Sequence, residues 1–476
     1  MLQVTENEIK NRLRFDNPWW ARPDDLDLLL EGLRERAYLD PFHTLVTNRE
    51  VNRAVVLMGP RRVGKTVILR QSIQRLLASG VEPTRIFFVS LDNPVYTGLP
   101  LAKLLGFFQE MHSHDRFADV YVFFDEVQYL KEWEVHLKVL VDDYPTARFV
   151  VSGSAAAALK MKSNESGAGR FTDFLLPPLT FAEFLDFREI PADVDIERLN
   201  EELFAYINFG GFPEAVLKDS IRRDFQRFVG SDIIDKVLLR DIPSLYGIGD
   251  PQELNRFFAT LAYNTGNEIS IDELSKKSGV AKNTIRKYLE FLEAAFLIHC
   301  LHRVDKTAKR FQRETHFKVY LTNPCLRSAL FGEVGQDDEK AGMLVETAVV
   351  AQYVQTDLIH QLSYARWKGG EIDILVQSTE TTVPIEIKWQ KSIYSSDARN
   401  IISFLEDNNR RDGLILTRDT WGHKTANNVS IGFIESSRAC RSMSQNTLKK
   451  LAQGIRPRRR LPELDLPERE GPAPSQ

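Results

Sequence analysis

Apolar residues along this chain fall into short unbroken runs separated by longer polar stretches with helical spacing. Ala54-Val55-Val56-Leu57-Met58, Ile86 to Leu91, Val120 to Phe124 and Phe149 to Val151 are such runs. Continuous apolar runs of this length predict strands buried on both faces, the habit of a parallel sheet covered by helices. Between them Val67, Ile68, Leu69, Ile73, Leu76 and Leu77 recur three and four apart, which predicts an amphipathic helix. A leading segment carries Leu26, Leu28, Leu29, Leu30 and Leu33 on a further helix after Pro23-Asp24. Helical spacing continues beyond Pro191, broken by Gly210-Gly211-Phe212-Pro213 and again at Pro243. Leu254, Phe257, Phe258 and Leu261, then Ile271 and Leu274, a turn at Gly279, and Ile285, Leu289 and Leu292 predict a helix-turn-helix unit. The pattern changes at Glu371 to Val376 and Val383 to Trp389, where apolar and charged residues alternate. Alternation predicts two hairpin strands, with Glu371 and Asp373 on one face and Glu386 and Lys388 on one face.

The first apolar run leads into Gly59-Pro60-Arg61-Arg62-Val63-Gly64-Lys65-Thr66, which satisfies GxxxxGK[ST] between a predicted strand and a predicted helix. Such glycines let backbone N–H groups turn toward phosphates, and the helix N-terminus adds partial positive charge. Lys65 then reaches the β and γ oxygens, and Thr66 offers its hydroxyl to Mg²⁺. The run Val120 to Phe124 ends in Asp125-Glu126. Asp125 is expected to hold Mg²⁺ through its water shell, and Glu126 to polarise the water that attacks the γ-phosphate. The strand ending in Ser152-Gly153-Ser154 brings hydroxyls that can sense the γ-phosphate, with Ser154 preferred; a strand-capping serine is the alternative.

Composition narrows the setting. The 476 residues correspond to about three domains of ordinary size. A formal net charge of -4 leaves any nucleic-acid binding to local patches. Cys300, Cys325 and Cys440 form no CxxC pair, so neither a zinc site nor a disulfide framework is indicated, which favours the reducing cytoplasm. The first residues lack an apolar signal core and no run approaches 18 apolar residues, so neither export nor membrane spanning is expected.

The combination GPRRVGKT, FFDEVQYLKEW, VVSGSAAAALK, GRFTDFLLPPLTFAEFL and GGFPEAV resembles the prokaryotic AAA-type ATP-binding proteins with a C-terminal domain of unknown function. The resemblance runs from about Ala54 to about Arg418 and implies an AAA-type P-loop core that binds ATP with Mg²⁺ and hydrolyses it. It also implies that Arg170, in Gly169-Arg170-Phe171, contacts the γ-phosphate, a role worth about 10³-fold or more in rate where it operates. The middle unit resembles a winged helix. Its second helix would expose Lys282, Asn283, Thr284, Arg286 and Lys287, a set suited to phosphates and base edges, while an ATPase lid that does not touch DNA is the alternative.

The alternating hairpin resembles the PD-(D/E)xK nuclease core. That implies Asp373 and Glu386 as ligands of a divalent metal, Lys388 beside the attacking water, and Glu346 as an added carboxylate from an upstream helix. Ile372 stands where the family places a proline before the first acid.

The expected architecture is therefore α/β: a P-loop AAA-type core with a parallel sheet, a helical and winged-helix middle, and an α/β restriction-endonuclease-like C-terminal domain. The boundaries drawn are a helical lead-in over 1–45, the ATPase core over 46–190, and a helical lid or linker over 191–250. A winged helix over 251–310, a nuclease-like domain over 311–440 and a tail over 441–476 follow, the tail basic at first, then rich in Pro and Glu, and expected to be disordered. The function expected is a nucleotide switch coupled to a DNA-binding nuclease-like domain. An ATP-regulated metal-dependent nuclease and a regulatory protein with an inactive nuclease fold are the alternatives. DNA is an expected partner and a homo-oligomer a possible assembly.

Overall fold

The computed structural model describes residues 4–153, 169–309, 316–354, 361–377, 382–426 and 428–452. The chain divides into two compact units, 1–177 and 178–476, so the boundaries drawn at 250 and 310 fall inside the second.

The first unit begins with helices α1 (Glu6–Asp16), α2 (Asp25–Leu30) and α3 (Leu39–Thr47). Of the expected leucine face, Leu26 and Leu30, four apart on α2, are buried, whereas Leu28 and Leu29 on its other side and Leu33 beyond its end are exposed. The core follows as β1 (Ala54–Met58), α4 (Lys65–Ala78), β2 (Ile86–Ser90), α5 (Leu101–His112), β3 (Tyr121–Asp125), α6 (Trp133–Asp143), β4 (Arg148–Gly153) and β5 (Phe171–Leu175). The strands form one sheet in the order β2-β3-β4-β1-β5, every pairing parallel. β1 and β4 are buried at every position, as their unbroken apolar runs require. This order sets the carboxyl ends of β1, β4 and β3 side by side, the edge at which open parallel sheets hold ligands.

The second unit opens with α7 (Phe181–Phe187) and α8 (Ile196–Phe209). The break after α8 has a packing cause: a Cβ on Gly211 would lie 2.7 Å from Cys325 Sγ and 2.8 Å from Asn323 Cγ. Residues 230–241 coil as π-helix and continue through Pro243 into a helix over Ile242–Tyr246, so the helix does not terminate at Pro243 as its sequence predicts. Pro243 is the second residue of that helix, a position whose backbone suits the fixed φ of proline.

Then come α9 (Pro251–Tyr263), β6 (Glu268–Ser270), α10 (Ile271–Ser278), α11 (Lys282–Ala294), β7 (Ile298–Val304) and β8 (His316–Leu321). Gly279 ends α10 at φ 74°, a left-handed cap that turns the chain into α11. After α12 (Cys325–Phe331) and α13 (Ala341–Val354) run β9 (Gln361–Trp367), β10 (Gly370–Gln377), β11 (Thr382–Lys388), α14 (Arg399–Asp407), β12 (Asp412–Thr417), β13 (Gly422–Ala426), β14 (Val429–Glu435) and α15 (Ser436–Ala452). α15 continues past the boundary drawn at 440; most of the basic and Pro- and Glu-rich tail lies outside the described residues.

β6 to β14 form a single sheet, β13-β14-β12-β11-β10-β9-β7-β8-β6. β7, inside the stretch expected to be a winged helix, thus joins the strands of the expected nuclease-like domain through its pairing with β9. α13 packs on one face with Tyr320, Ile374, Ile385 and Leu416; α14 packs on the other with Ile372, Leu375, Ile415 and Phe433. Ile372 and Leu375, three residues apart, share a face because β10 shifts register against β9 between them, a β-bulge beside Asp373.

Candidate nucleotide site and carboxylate cluster

In the first unit, β1 delivers the glycine loop at the sheet's carboxyl edge. Gly59 has φ 155°, and a Cβ there would lie 2.1 Å from the backbone oxygen of Leu176, so only glycine lets the loop pass this chain. Pro60, Arg61 and Arg62 form the bend, Arg62 at φ 63°, and Gly64 caps α4 at φ 99°. The side chain of Arg36, 4% exposed, donates to Val63 O at 2.9 Å and Pro177 O at 3.1 Å and so fastens the loop from below. Lys65, itself buried, donates from Nζ to Gly59 O at 3.0 Å and Pro60 O at 2.7 Å, which holds its ammonium over the loop.

Thr66 Oγ1 donates to Asp125 Oδ2 at 2.7 Å, and Ser152 Oγ donates to Asp125 Oδ1. Ser152 reaches Asp125 because β4 lies between β1 and β3. Burial pushes the Asp125 carboxyl up from its ordinary range, with the neighbouring Glu126 adding to the effect, while Ser152, Thr66 and Lys65 oppose it. Glu126 stands in the left-handed region at φ 55°, its backbone N–H donating to Asp125 Oδ1 at 3.2 Å and its Oε2 accepting from Gln128 Nε2. A non-glycine residue held there just after β3 is the kind of local strain found at working sites. Thr66 and Asp125, a hydroxyl and a carboxylate at the carboxyl edge, are oxygen donors of the kind Mg²⁺ takes, so the residues fit that ion.

Ser154 lies outside the described residues; the serine found against Asp125 is Ser152. Arg170 precedes β5 at the opposite end of the sheet: Ala54, the first residue of β1, donates to Arg170 O at 2.8 Å. A strand of this length separates it from the loop of its own chain by about 16 Å. Its guanidinium is exposed and pairs with Asp142 at 2.7 Å, so it does not reach the γ-phosphate position of its own loop.

In the second unit the four residues expected at the hairpin and on the upstream helix converge. Glu346 comes from α13, Asp373 from β10, and Glu386 and Lys388 from β11. Lys388 Nζ lies 2.8 Å from Glu386 Oε2, and Asp373 Oδ2 accepts from Ile387 N at 2.9 Å. Burial is the main cause that pushes Glu346 up to about 7 and Glu386 up to about 8. Sequence reasoning missed two members. Lys318 lies 3.2 Å from Glu346 Oε1, 2.8 Å from Glu371 Oε1 and 3.6 Å from Asp373 Oδ1, and Tyr320 donates its hydroxyl to Glu346 Oε1. The signal was present as a lysine inside the apolar run Phe317-Lys318-Val319-Tyr320-Leu321, where a period of two puts Lys318 and Tyr320 on one face. Among the described residues no group of three or more His, Cys, Asp or Glu side chains is arranged to hold a metal ion. The carboxylates turn to ammonium and amide groups instead, so this donor set does not fit the divalent metal of a nuclease.

On α11, Lys282, Asn283, Arg286 and Lys287 are exposed while Ile285, Tyr288 and Leu289 are buried. Lys282 pairs with Asp272 at 2.7 Å. Among the described residues no helix is long and apolar enough to cross a membrane.

Residues 51–185 match the family model of an AAA domain, while 200–337 and 341–432 match two domains of unknown function, DUF8612 and DUF4143. An uncharacterized protein of Haemophilus influenzae is 23% identical over 373 residues, 77% of this chain and 90% of its own length. Uncharacterized proteins of Methanocaldococcus jannaschii (23% identical, 76% of this chain, 80% of theirs) and Mycobacterium tuberculosis (28% identical, 75% of each) are similarly related. Among solved structures, the replication initiator DnaA bound to AMPPCP and single-stranded DNA covers 56% of this chain and 91% of its own at 13% identity. Its TM-score of 0.29 is too low to bear on fold or function. The family match and the arrangement of loop, parallel sheet and acidic strand end together identify an AAA-type P-loop domain in the N-terminal unit.

Proposed function

We propose that this protein is an ATP-hydrolysing switch whose nucleotide state governs how its second unit engages DNA. The observation that carries the first half is the 2.7 Å contact of Thr66 with Asp125 beside the Gly59–Thr66 loop. Loop N–H groups and the N-terminus of α4 bind the phosphates, and Lys65 neutralises the β and γ oxygens. Mg²⁺, when bound, offsets phosphate charge, with Thr66 and Asp125 as the residues that would hold it. Glu126 orients water for attack, and Ser152 fixes Asp125 in the required rotamer. ATP turnover by the wild type and by Lys65→Ala tests this: comparable turnover in both would sink the assignment.

Support for DNA as partner comes from the order helix, strand, helix, helix, strand, strand over α9 to β8, which is that of a winged helix, with Lys282, Asn283, Arg286 and Lys287 exposed on α11. A nuclease-like second unit is supported by the convergence of Glu346, Asp373, Glu386 and Lys388 on one sheet and helix. ATP-dependent, salt-sensitive binding to duplex DNA is the expected result, and equal binding with and without ATP would reject the switch. A homo-oligomer remains part of the proposal, since Arg170 could serve a nucleotide site only in another copy.

A further inference from the structure

Lys318 projects from β8 into the space bounded by the β10–β11 hairpin and α13. Its side chain is 5% exposed and its Nζ lies 5.4 Å from the centroid of the Tyr364 ring. Burying an ammonium is strongly unfavourable unless carboxylates surround it, and here Glu346, Glu371 and Asp373 do so. Those carboxylates have the converse need for a cation. In a metal-dependent nuclease a diffusible ion meets it; here the cation is attached to the sheet and cannot leave without unpacking β8.

The other oxygens agree. Asp373 Oδ2 is engaged by the Ile387 amide and Glu386 Oε2 by Lys388, which leaves buried Glu386 Oε1 without a hydrogen-bond partner among the described residues. Glu386 is 2% exposed, so that oxygen marks where a further cation would have to enter. An ion arriving there would face the ammonium of Lys388 at once and that of Lys318 across Asp373.

We infer that Lys318 is the resident cation of this cluster, standing in for the divalent ion of a nuclease, so that the cluster takes up no divalent metal while Lys318 is in place. The inference rests on the nuclease-like reading of the second unit. Its consequence is that this unit binds nucleic acid without cutting it through this cluster.

Mn²⁺ is the probe, followed by loss of the free-ion paramagnetic resonance signal, on full-length nucleotide-free protein carrying Thr66→Ala to silence the first unit. Wild-type Lys318 should show no Asp373-dependent binding, whereas Lys318→Met should gain a site at least about tenfold tighter that disappears in Lys318→Met with Asp373→Asn. Asp373-dependent binding of equal strength with and without Lys318 overturns the inference and leaves the nuclease-like reading standing. Absence of binding in both overturns that reading, and the inference with it. Should Lys318→Met fail to fold, comparison of wild-type Lys318 with Asp373→Asn decides: Asp373-dependent uptake overturns the inference, and its absence supports it.

Discussion

The hydroxyl of Thr66 donates to Oδ2 of Asp125 at 2.7 Å, joining the first turn of α4 to the end of β3 across the width of β4. Asp125 is nearly fully buried, and Ser152 occupies its second oxygen. A carboxylate bonded on both oxygens is fixed in direction, which matters more at a phosphate site than its nearness alone. Asp125→Asn and Thr66→Ala should each lower ATP turnover by about 10²-fold, an effect of the size seen when one preorganised group is lost. Steady-state phosphate release checks this, and turnover within twofold of wild type would count against the site.

Glu126→Gln separates binding from chemistry. Loss of a positioned base costs on the order of 10²- to 10⁴-fold in rate, whereas the phosphate cradle is untouched. Equilibrium binding of a fluorescent ATP analogue should stay within about twofold while turnover falls, a split that misfolding would not produce.

Gly59→Ala should abolish nucleotide binding and lower the melting temperature of the first unit. The new Cβ would meet the Leu176 carbonyl at 2.1 Å, so the loop and the chain just after β5 must part. A cost of about 1–3 kcal/mol is expected from such backbone strain. Gly80→Ala, where nothing lies within 4 Å of the added Cβ, tests the effect of a left-handed φ of 91° without the collision.

Stability of the second unit should fall as pH rises from about 5 to about 8. Folded Glu386 titrates at about 8 and Glu346 at about 7, against 4.5 for the exposed side chain. Within that window the folded state holds protons that the unfolded state has released, so raising pH favours unfolding. Lys318 and Lys388, both raised from 10.5, stay protonated in both states there and do not oppose the trend. Differential scanning calorimetry should show a shallower decline in Glu386→Gln; equal slopes would refute the buried-carboxyl origin.

Arg286→Ala with Lys287→Ala should weaken duplex DNA binding and reduce the slope of log affinity against log salt by about 2, one for each phosphate contact removed. Both side chains are exposed, so folding should be unaffected, as circular dichroism can verify. An unchanged salt slope would favour a lid that never meets DNA.

Local chemistry made part of this protein legible in its sequence. A loop bracketed by an apolar strand and an amphipathic helix has few ways to fold, so Gly59 to Thr66 and Asp125-Glu126 announce the nucleotide site within single stretches of chain. Alternation likewise brought Glu371 with Asp373 and Glu386 with Lys388 into view, since a strand's period is local. What escaped depended on order within the sheets. Only the placement of β4 between β1 and β3 brings Ser152 to Asp125, and only the parallel run of β5 beside β1 carries Arg170 to the far edge. Lys318 escaped for the same reason: its residue type and its place in the apolar run Phe317 to Leu321 name no partner. Its three carboxylates, Glu346, Glu371 and Asp373, become its partners through sheet order and the packing of α13. Residue type and short spacing are enough to show which groups can do chemistry, and both are properties of the chain before it folds. The tertiary structure alone decided which charges neutralise one another, because a buried charge is settled by whatever the fold brings within a few ångströms of it.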